Sequence, residues 1–528
     1  MTDWRIYDHP IVEFDRGKEV TIYLDEKPIK AFDSETVAAA LYASGLREFS
    51  KSIKYRRPRG FFCAIGRCSS CMMEVDGVPN VRTCVAPVKD GMKIRSQKTL
   101  ARFLNPILNL MKLPPQKYMR MFTRPSIIYK PAMMVMRQLT GIGKPAEEIP
   151  ENMEITPKSM ELETEFLVIG GGPAGLMGAL EAAKRGVNVT IVDDKDMLGG
   201  QLVKQTHTFF SDIKYAAGKR GFNLGKTMVE EIKEMDNVKI LTNTTAVGYY
   251  PSENRVLLVG PEETSVKIKA EKYLIATGAY EKNLVFENND LPGVYGAGGV
   301  QTLLNVYGIK PGNRGLIIGT GNVALMVAYH LIQAGIEVAG IVAPSRRRVK
   351  GYHVHAAKIK RHGVPIITRH TIKRALGTNF VKDAIIVGLD ENYEEIEGSE
   401  KKIECDFICV GVGLSPAYDL VKLFNPEMKF IPTLGGFIPI RDKQYRFVEN
   451  AYIAGDVSSI EEATTAMLEG SLAGLYATKA LGKSDESIDA KIAEYSHALE
   501  EDRNSPFSTG LVKAMREVTV ENILEVIQ

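Results

Sequence analysis

Apolar and polar residues alternate through Val20, Ile22 and Leu24, which predicts a β-strand near the start of the chain. Ser34-Glu35-Thr36 then opens the run VAAALYASGL, predicting a short capped helix that Gly45 stops. Short strands are expected around 72–75 and 92–95. From 98 to 160 the pattern is broken by Pro106, Pro114, Pro115, Pro125, Pro131, Pro145, Pro150 and Pro157, so only short helical pieces fit and the stretch reads as a wrapped connector. Residues 161–485 return to a regular pattern. ETEFLVIGGGPAGLMGALEAAKRGVNVTIVDD reads strand, glycine turn, helix, strand, and RGLIIGTGNVALMVAYHLIQAGIEVAGIV repeats it. Their first glycines, Gly170 and Gly319, lie 149 residues apart. Two such units imply open parallel sheets with helices on both faces. The tail, 486–528, has a polar helical period.

Four of the six cysteines change this picture. They follow the spacing Cys63-x4-Cys68-x2-Cys71-x12-Cys84, which is that of plant-type [2Fe–2S] sites. Three thiolates on one tight loop wrap a cluster, and a fourth from a later segment closes it. Ala64, Gly66, Ser69 and Ser70 are small enough to let backbone N–H groups approach the sulfides. Zinc is the alternative, disfavoured because only one C-x2-C pair is present. Cys405 and Cys409 share one face of a strand and read as core.

The first glycine turn, Gly170-x-Gly172-x-x-Gly175, follows the strand FLVI and opens a helix through Pro173 and Ala174. A pyrophosphate suits such a helix start, because its free N–H groups point outward. Asp193 ends the next strand, placed for an adenosine ribose. Two later strands run into glycine turns, at Thr277-Gly278 and Gly455-Asp456. An ATG turn and a late GD turn close over the dinucleotide in flavoproteins with two dinucleotide sites, so FAD is the favoured ligand, with Asp456 by its ribityl–phosphate portion. The second turn, Gly319-x-Gly321-Asn322-x-Ala324, is a weaker copy. An NAD site wants an acid after its next strand, and Ala343-Pro344-Ser345-Arg346-Arg347-Arg348 has none. Arg346 suits a 2′-phosphate, so NADP is one reading; a degenerate site or another adenine nucleotide is the other. No redox CxxC lies in this region, which excludes a disulfide reductase. His207 reads as a surface or core residue, nothing resembles a Ser-His-Asp set, and no catalytic residue is assigned in this chain.

The 528 residues suit about three domains. With 67 basic and 64 acidic residues the net charge is +3, which argues against a nucleic-acid binder. No signal peptide or transmembrane run is read, so cytoplasm is expected, where clustered thiols serve as metal ligands. The small net charge hides a partition: residues 51–146 carry +16 and the remainder −13. Residues 91–146 contain no Asp or Glu and seven of the twenty methionines. A solvated face and membrane-surface attachment are alternatives. The favoured reading packs this module, with Arg57 and Arg59, against a flavin phosphate, the cluster thiolates and a partner subunit.

The chain resembles the α subunit of the multisubunit sarcosine oxidases and their relatives, the proline, hydroxyproline and opine dehydrogenases and hydrogen cyanide synthase. The matching stretches include KYRRPRGFF, IIYKPAMMVMRQLTGIGKPAEE, FLVIGGGPAGL, GGQL with Gly200 and Gln201, LIATGAYEKNL, LPGVYGAGGVQTLL, VGVGLSP and AGDVSSIEEATTAMLEG. The resemblance implies a separate FAD-containing β-type catalytic subunit, an FMN at the subunit interface, and FAD, NAD or ATP at the first site. In the sarcosine oxidase α chain this N-terminal fold lacks the cluster cysteines, all four of which are present here. The large folate-binding half has no counterpart in 528 residues, so folate-linked chemistry is not expected.

The expected architecture is therefore α/β and α+β. A ferredoxin-like β-grasp [2Fe–2S] domain, 1–97, leads through a basic connector, 98–160, into a glutathione-reductase-like flavoprotein core. Its FAD-type part is 161–285 with 410–485, its NAD(P)-type part 286–409, and a helical tail follows at 486–528. The expected function is an electron-transferring α subunit of a flavin-dependent amine or imino-acid dehydrogenase that passes electrons from flavin to the cluster and on to an acceptor protein or dye. A self-contained NAD(P)H:acceptor reductase and a non-catalytic scaffold are the alternatives.

Overall fold

The alternation at Val20–Leu24 forms a strand whose Ile22 is fully buried while Thr21 and Tyr23 face outward. The computed structural model describes residues 3–52, 57–96, 159–209, 216–261, 264–345, 349–504 and 508–525. The basic connector therefore lies outside the described residues apart from 159 and 160, as does Arg346.

The N-terminal sheet comprises β1 (Glu19–Leu24), β2 (Lys27–Phe32), β3 (Met72–Val75), β4 (Val78–Arg82) and β5 (Lys93–Arg95), in the order β2-β1-β5-β3-β4. β1 and β5 are parallel and the other pairs antiparallel. Helix α1 (Val37–Ala43) is buried along its whole length. The Thr36 side chain caps it by accepting the Ala39 N–H, and Gly45 follows it at φ +99°. Total burial on a seven-residue helix of Ala, Val, Leu and Tyr means that it is covered on both sides.

The flavoprotein core begins with β6 (Ser159–Ile169), α2 (Pro173–Ala183) and β7 (Val189–Val192). β6 pairs in parallel with β7 and with β8 (Ser265–Ile275), and β8 pairs in parallel with the strand Ala451–Ile453. The long helix Ala463–Ala480 packs on α2 through small residues: a Cβ on Gly470 or Gly474 would strike the α2 backbone at Ala174 or Gly178. The second glycine-turn unit is β9 (Arg314–Ile318), α3 (Asn322–Gln333) and β10 (Glu337–Val342), with β11 (Phe407–Val410) beside β9. Its five-stranded sheet is wholly parallel.

The polypeptide divides into two compact units. The N-terminal domain belongs with 283–412, while the residues from 159 to 282 belong with 413 onward. In the first unit one continuous core joins Leu41, Tyr42 and Phe61 to Tyr295, Leu303 and Phe407. Tyr42 explains the second covering of α1: its hydroxyl meets that of Tyr295 at 2.5 Å and donates to the Pro311 carbonyl. Glycines permit the close approach. A Cβ on Gly60 would lie 2.9 Å from Pro292 Cα, one on Gly308 2.7 Å from the Phe14 ring, and one on Gly299 would collide with the Phe62 carbonyl oxygen.

Gly299→Val should therefore force the Phe62 backbone away and destabilise this unit by about 1–3 kcal/mol. Urea denaturation checks the stability loss, and limited proteolysis should release an N-terminal fragment from the variant sooner than from wild type.

Candidate functional site

The first nucleotide turn is built by contacts that only glycine allows. Gly170 leaves β6 at φ +109°, and a Cβ there would strike the Ala276 carbonyl. A Cβ on Gly175 would strike the carbonyl of Gly170 itself. Gly172 caps α2 and Pro173 takes its first position, where a missing N–H costs nothing. Gly199 and Gly200 are both left-handed, and Gly200 Cα packs onto Gly172. Asp193, buried just past β7, accepts the Gly171 N–H at 2.7 Å and the Lys195 N–H at 2.9 Å through separate oxygens. Burial raises its pKa. Each oxygen keeps a second acceptor site, so the carboxylate can serve ribose hydroxyls as well.

Thr277 and Gly278 end β8's turn on the same sheet edge. The Thr277 hydroxyl donates to the Ala417 carbonyl, and Gly278 takes φ +69°. Gly455 follows Ala451–Ile453 at φ +77°, against the Ala174 methyl. The structure thus brings Gly170, Gly172, Pro173, Ala174, Gly175, Asp193, Gly200, Thr277, Gly278, Gly455 and Asp456 to one end of the parallel strands of a mixed sheet, with Gln201 in the short helical turn after Gly200. An anionic dinucleotide fits there because the α2 N-terminus offers free N–H groups.

The second turn repeats the backbone of the first. Gly170 N–H donates to Val192 and Gly319 N–H to Val342, both at 2.8 Å; Gly199 donates to Gly171 and Gly351 to Thr320, at 2.8 and 2.7 Å. Gly319 is left-handed, Gly321 caps α3, and Ala324 replaces the third glycine. By this equivalence the place of Asp193 is taken by Ala343, which is buried. Asn322 does not face open space: its Oδ1 accepts the Tyr352 N–H at 2.7 Å.

The cysteine loop is tightly wound, with Ala64, Gly66 and Ser69 all at positive φ. Two non-glycine residues in that region mark a locally strained loop, held by its surroundings. Gly66 N–H points at Cys84 Sγ at 3.3 Å and Cys68 N–H at Cys63 Sγ at 3.4 Å. The thiols touch in the order Cys68, Cys63, Cys84, Cys71. Hydrogen bonding from Cys68, then Cys84, drives Cys63 toward the thiolate, while Cys84 is pushed up by Cys63 and Cys71. Among the described residues no three His, Cys, Asp or Glu side chains converge as they would on a single ion. Four thiols in contact, three from one loop and one from the later segment, fit the donor set of a [2Fe–2S] cluster. Gly296 N–H donates to the Phe62 carbonyl, fixing the residue before Cys63 from outside the N-terminal domain.

A family model for pyridine nucleotide-disulphide oxidoreductases matches residues 164–470, and one for 2Fe-2S iron-sulfur cluster binding domains matches 17–99. The chain belongs to the pyridine nucleotide-disulphide oxidoreductase family. This flavin-type redox core carries an N-terminal 2Fe-2S domain. The sarcosine oxidase alpha subunit of Rhizobium meliloti is 32% identical over 65% of this chain and 36% of its own length. That of Corynebacterium sp. strain P-1 is 25% identical over 98% of this chain and 50% of its own. An opine oxidase subunit of Rhizobium meliloti is 29% identical over 60% of this chain and 72% of its own. The chain thus spans half or less of the sarcosine oxidase alpha subunits it matches. The solved L-proline dehydrogenase from P. horikoshii shares the fold, with TM-score 0.65 and 23% identity over 94% of this chain and 79% of that one. Among the described residues no helix is long and apolar enough to cross a membrane.

Other expected site residues are placed differently from the nucleotide turns. Arg57 binds Asn288 Oδ1 and Asp290 Oδ1, each at 2.7 Å, so its partners within this chain are an amide and a carboxylate. Arg59 lies in a two-residue strand paired with Ser50. Sequence reasoning missed Glu469. This buried helix residue accepts the Gly455 N–H and the Ser458 hydroxyl, both at 3.0 Å, and pairs with Arg441 and Arg503 at 2.8 Å. Those two cations outweigh its burial and hold it at about 2. Asp456 behaves oppositely. Part of its surface is open, yet its carboxyl sits deep, and burial reinforced by Glu462, Glu461 and Glu469 pushes it up to about 7.

Glu469→Gln should destabilise the Gly455 turn by roughly 3 kcal/mol, since it leaves the buried Arg441 guanidinium short of its counter-charge, while Arg503 keeps Glu461. Equilibrium denaturation at pH 7 measures it.

The two acids have opposite signs with pH. Glu469 is depressed, so its contribution is present above the ordinary carboxylate range and lost as pH falls toward 2. Asp456 is raised, so its contribution is present at low pH and lost as pH rises through about 7. Asp456→Asn should therefore remove a loss of stability of the cofactor-free protein between about pH 4 and pH 7, read from Tm across buffers.

Proposed function

We propose that this chain is the electron-transferring α-type subunit of a flavin-dependent dehydrogenase acting on the C–N bond of an amine or imino acid, working with an FAD-containing β-type catalytic subunit. The supporting observation is the pairing of a fully equipped first nucleotide turn with a four-thiol loop, while the second turn has lost its ribose acid to Ala343. Relatives named as subunits of sarcosine oxidase and of opine oxidase support the class of reaction and the need for a partner.

FAD at the first site would accept an electron pair, and a [2Fe–2S] cluster on Cys63, Cys68, Cys71 and Cys84 would handle electrons singly. Gly170, Gly172 and Gly175 keep side chains away from the pyrophosphate position, and the α2 N-terminus supplies positive potential to it. Asp193 is preset by its two N–H bonds to receive hydroxyls. Glu469 holds the Gly455 N–H and so shapes the turn that carries Asp456. On the loop, N–H groups of Gly66 and Cys68 are aimed at sulfur, where they favour the more negative state.

Cofactor extraction from the purified chain should give two irons and two sulfides per chain, and FAD in place of NAD or ATP. Cys68→Ser should lose the iron-dependent absorbance and keep the flavin. NADH and NADPH should fail to bleach the flavin of the isolated chain. Rapid bleaching by either would replace this reading with the self-contained NAD(P)H:acceptor reductase.

A further inference from the structure

The four-thiol loop has a covered side and an open one. On the covered side, Phe62 and Cys63 press against Gly296 and Gly299, and Cys63, Cys71 and Cys84 are buried. Cys68 alone of the four keeps surface open to solvent. Two exposed cations flank it. Arg67 is exposed next to it in the chain, and Arg82 is exposed on the segment leading to Cys84. The Arg82 stem reaches the loop: a Cβ on Gly66 would lie 3.8 Å from Arg82 Cδ and 3.2 Å from Val85. Ile65 and Val85 are half-buried and add apolar surface. Glu48 pairs with Lys51 at 3.3 Å and Glu74 with Arg95 at 3.9 Å. The Ser50 hydroxyl ties the 48–51 segment to the loop at the Ser70 carbonyl.

We infer that this open edge, Cys68 flanked by Arg67 and Arg82, is the docking surface for a one-electron carrier protein with an acidic face. The inference rests on the reading that the four thiols hold a [2Fe–2S] cluster. Electron exchange between proteins requires close approach, and of the four cysteines Cys68 is the one whose side is open to it. A rim of two guanidinium groups with apolar surface beside it steers and seats an acidic partner. The exchange moves one electron from the reduced cluster to the oxidised carrier, with no bond made or broken and no proton transferred. A small dye would need no charged rim.

The test uses the purified full chain, reduced with dithionite and freed of excess reductant. It is mixed in a stopped-flow instrument with oxidised cytochrome b5 as the acidic carrier and, separately, with cytochrome c as the basic one. The rate constant for cytochrome b5 should fall about tenfold between low and roughly 0.3 M salt, and that for cytochrome c should rise. Arg67→Glu with Arg82→Glu should lower the cytochrome b5 rate about tenfold at low salt, while Lys360→Glu, on an exposed helix elsewhere in the same unit, should not. Calorimetric titration of oxidised chain with oxidised cytochrome b5 should show the same loss of affinity without any turnover. Iron and sulfide content are measured for each variant, and the Arg67→Gln and Arg82→Gln pair is used if the Glu pair loses its cluster. A cluster-bearing variant with unchanged rate and affinity, or wild-type rates indifferent to salt and carrier charge, would overturn the docking assignment alone. Absence of a cluster from the wild-type chain would overturn the underlying reading together with it.

Discussion

The Phe62 carbonyl lies against Gly299 with no room for a methyl group between them. Most of what is distinctive about the cysteine loop depends on that contact. The loop is too strained, with Ala64 and Ser69 in the left-handed region, to be held by its own short sheet alone. It is held because backbone meets backbone at its start, where Gly296 donates to the same carbonyl. Tyr42, Tyr295 and the Arg57–Asp290 pair extend the contact on either side. A flexible neighbouring side chain could yield by rotating; the Phe62 carbonyl oxygen cannot, so the position of the first cysteine is set to within the precision of main-chain packing.

The two glycine turns show how a scaffold and its chemistry come apart. Both keep the left-handed first glycine, the same pair of main-chain hydrogen bonds and the same close strand-to-turn contact. Those features serve the parallel sheet and persist whatever is bound. The carboxylate does not: Asp193 in one turn corresponds to buried Ala343 in the other. Both turns need their glycines to fold, whereas the second is built without the carboxylate that takes two backbone hydrogen bonds in the first. The second lobe has kept the former and given its surface to the N-terminal domain.

Around the Gly455 turn, charge is managed by position more than by number. Glu469 and Asp456 are carboxyls in one neighbourhood, yet one sits at about 2 and the other at about 7. The difference is that Arg441 and Arg503 point at Glu469, and the same cations are then spent as far as Asp456 is concerned. A proton is thereby easy to place on Asp456 near neutral pH and very hard to place beneath it, which keeps the supporting hydrogen bond to Gly455 constant while the turn itself titrates.

The cysteine spacing, the glycine turns and the strand–helix alternation were legible because each is a local property: a loop of a few residues, a positive φ, a period of two or 3.6. So was the membership of the chain in a family of flavin-dependent oxidoreductases, carried by motifs of that kind. Glu469 was not legible, since nothing along the helix Ala463–Ala480 separates a glutamate that pairs with two distant arginines from one that faces water. The basic surroundings of Arg57 pointed to a flavin phosphate, the cluster thiolates and a partner subunit; its partners within this chain, Asn288 and Asp290, are 231 and 233 positions away and were not legible. Local sequence thus determined which turns and which loop the chain can make. Only the tertiary structure decided what each one rests on, because burial and charge pairing depend on segments that meet in space after long stretches of chain.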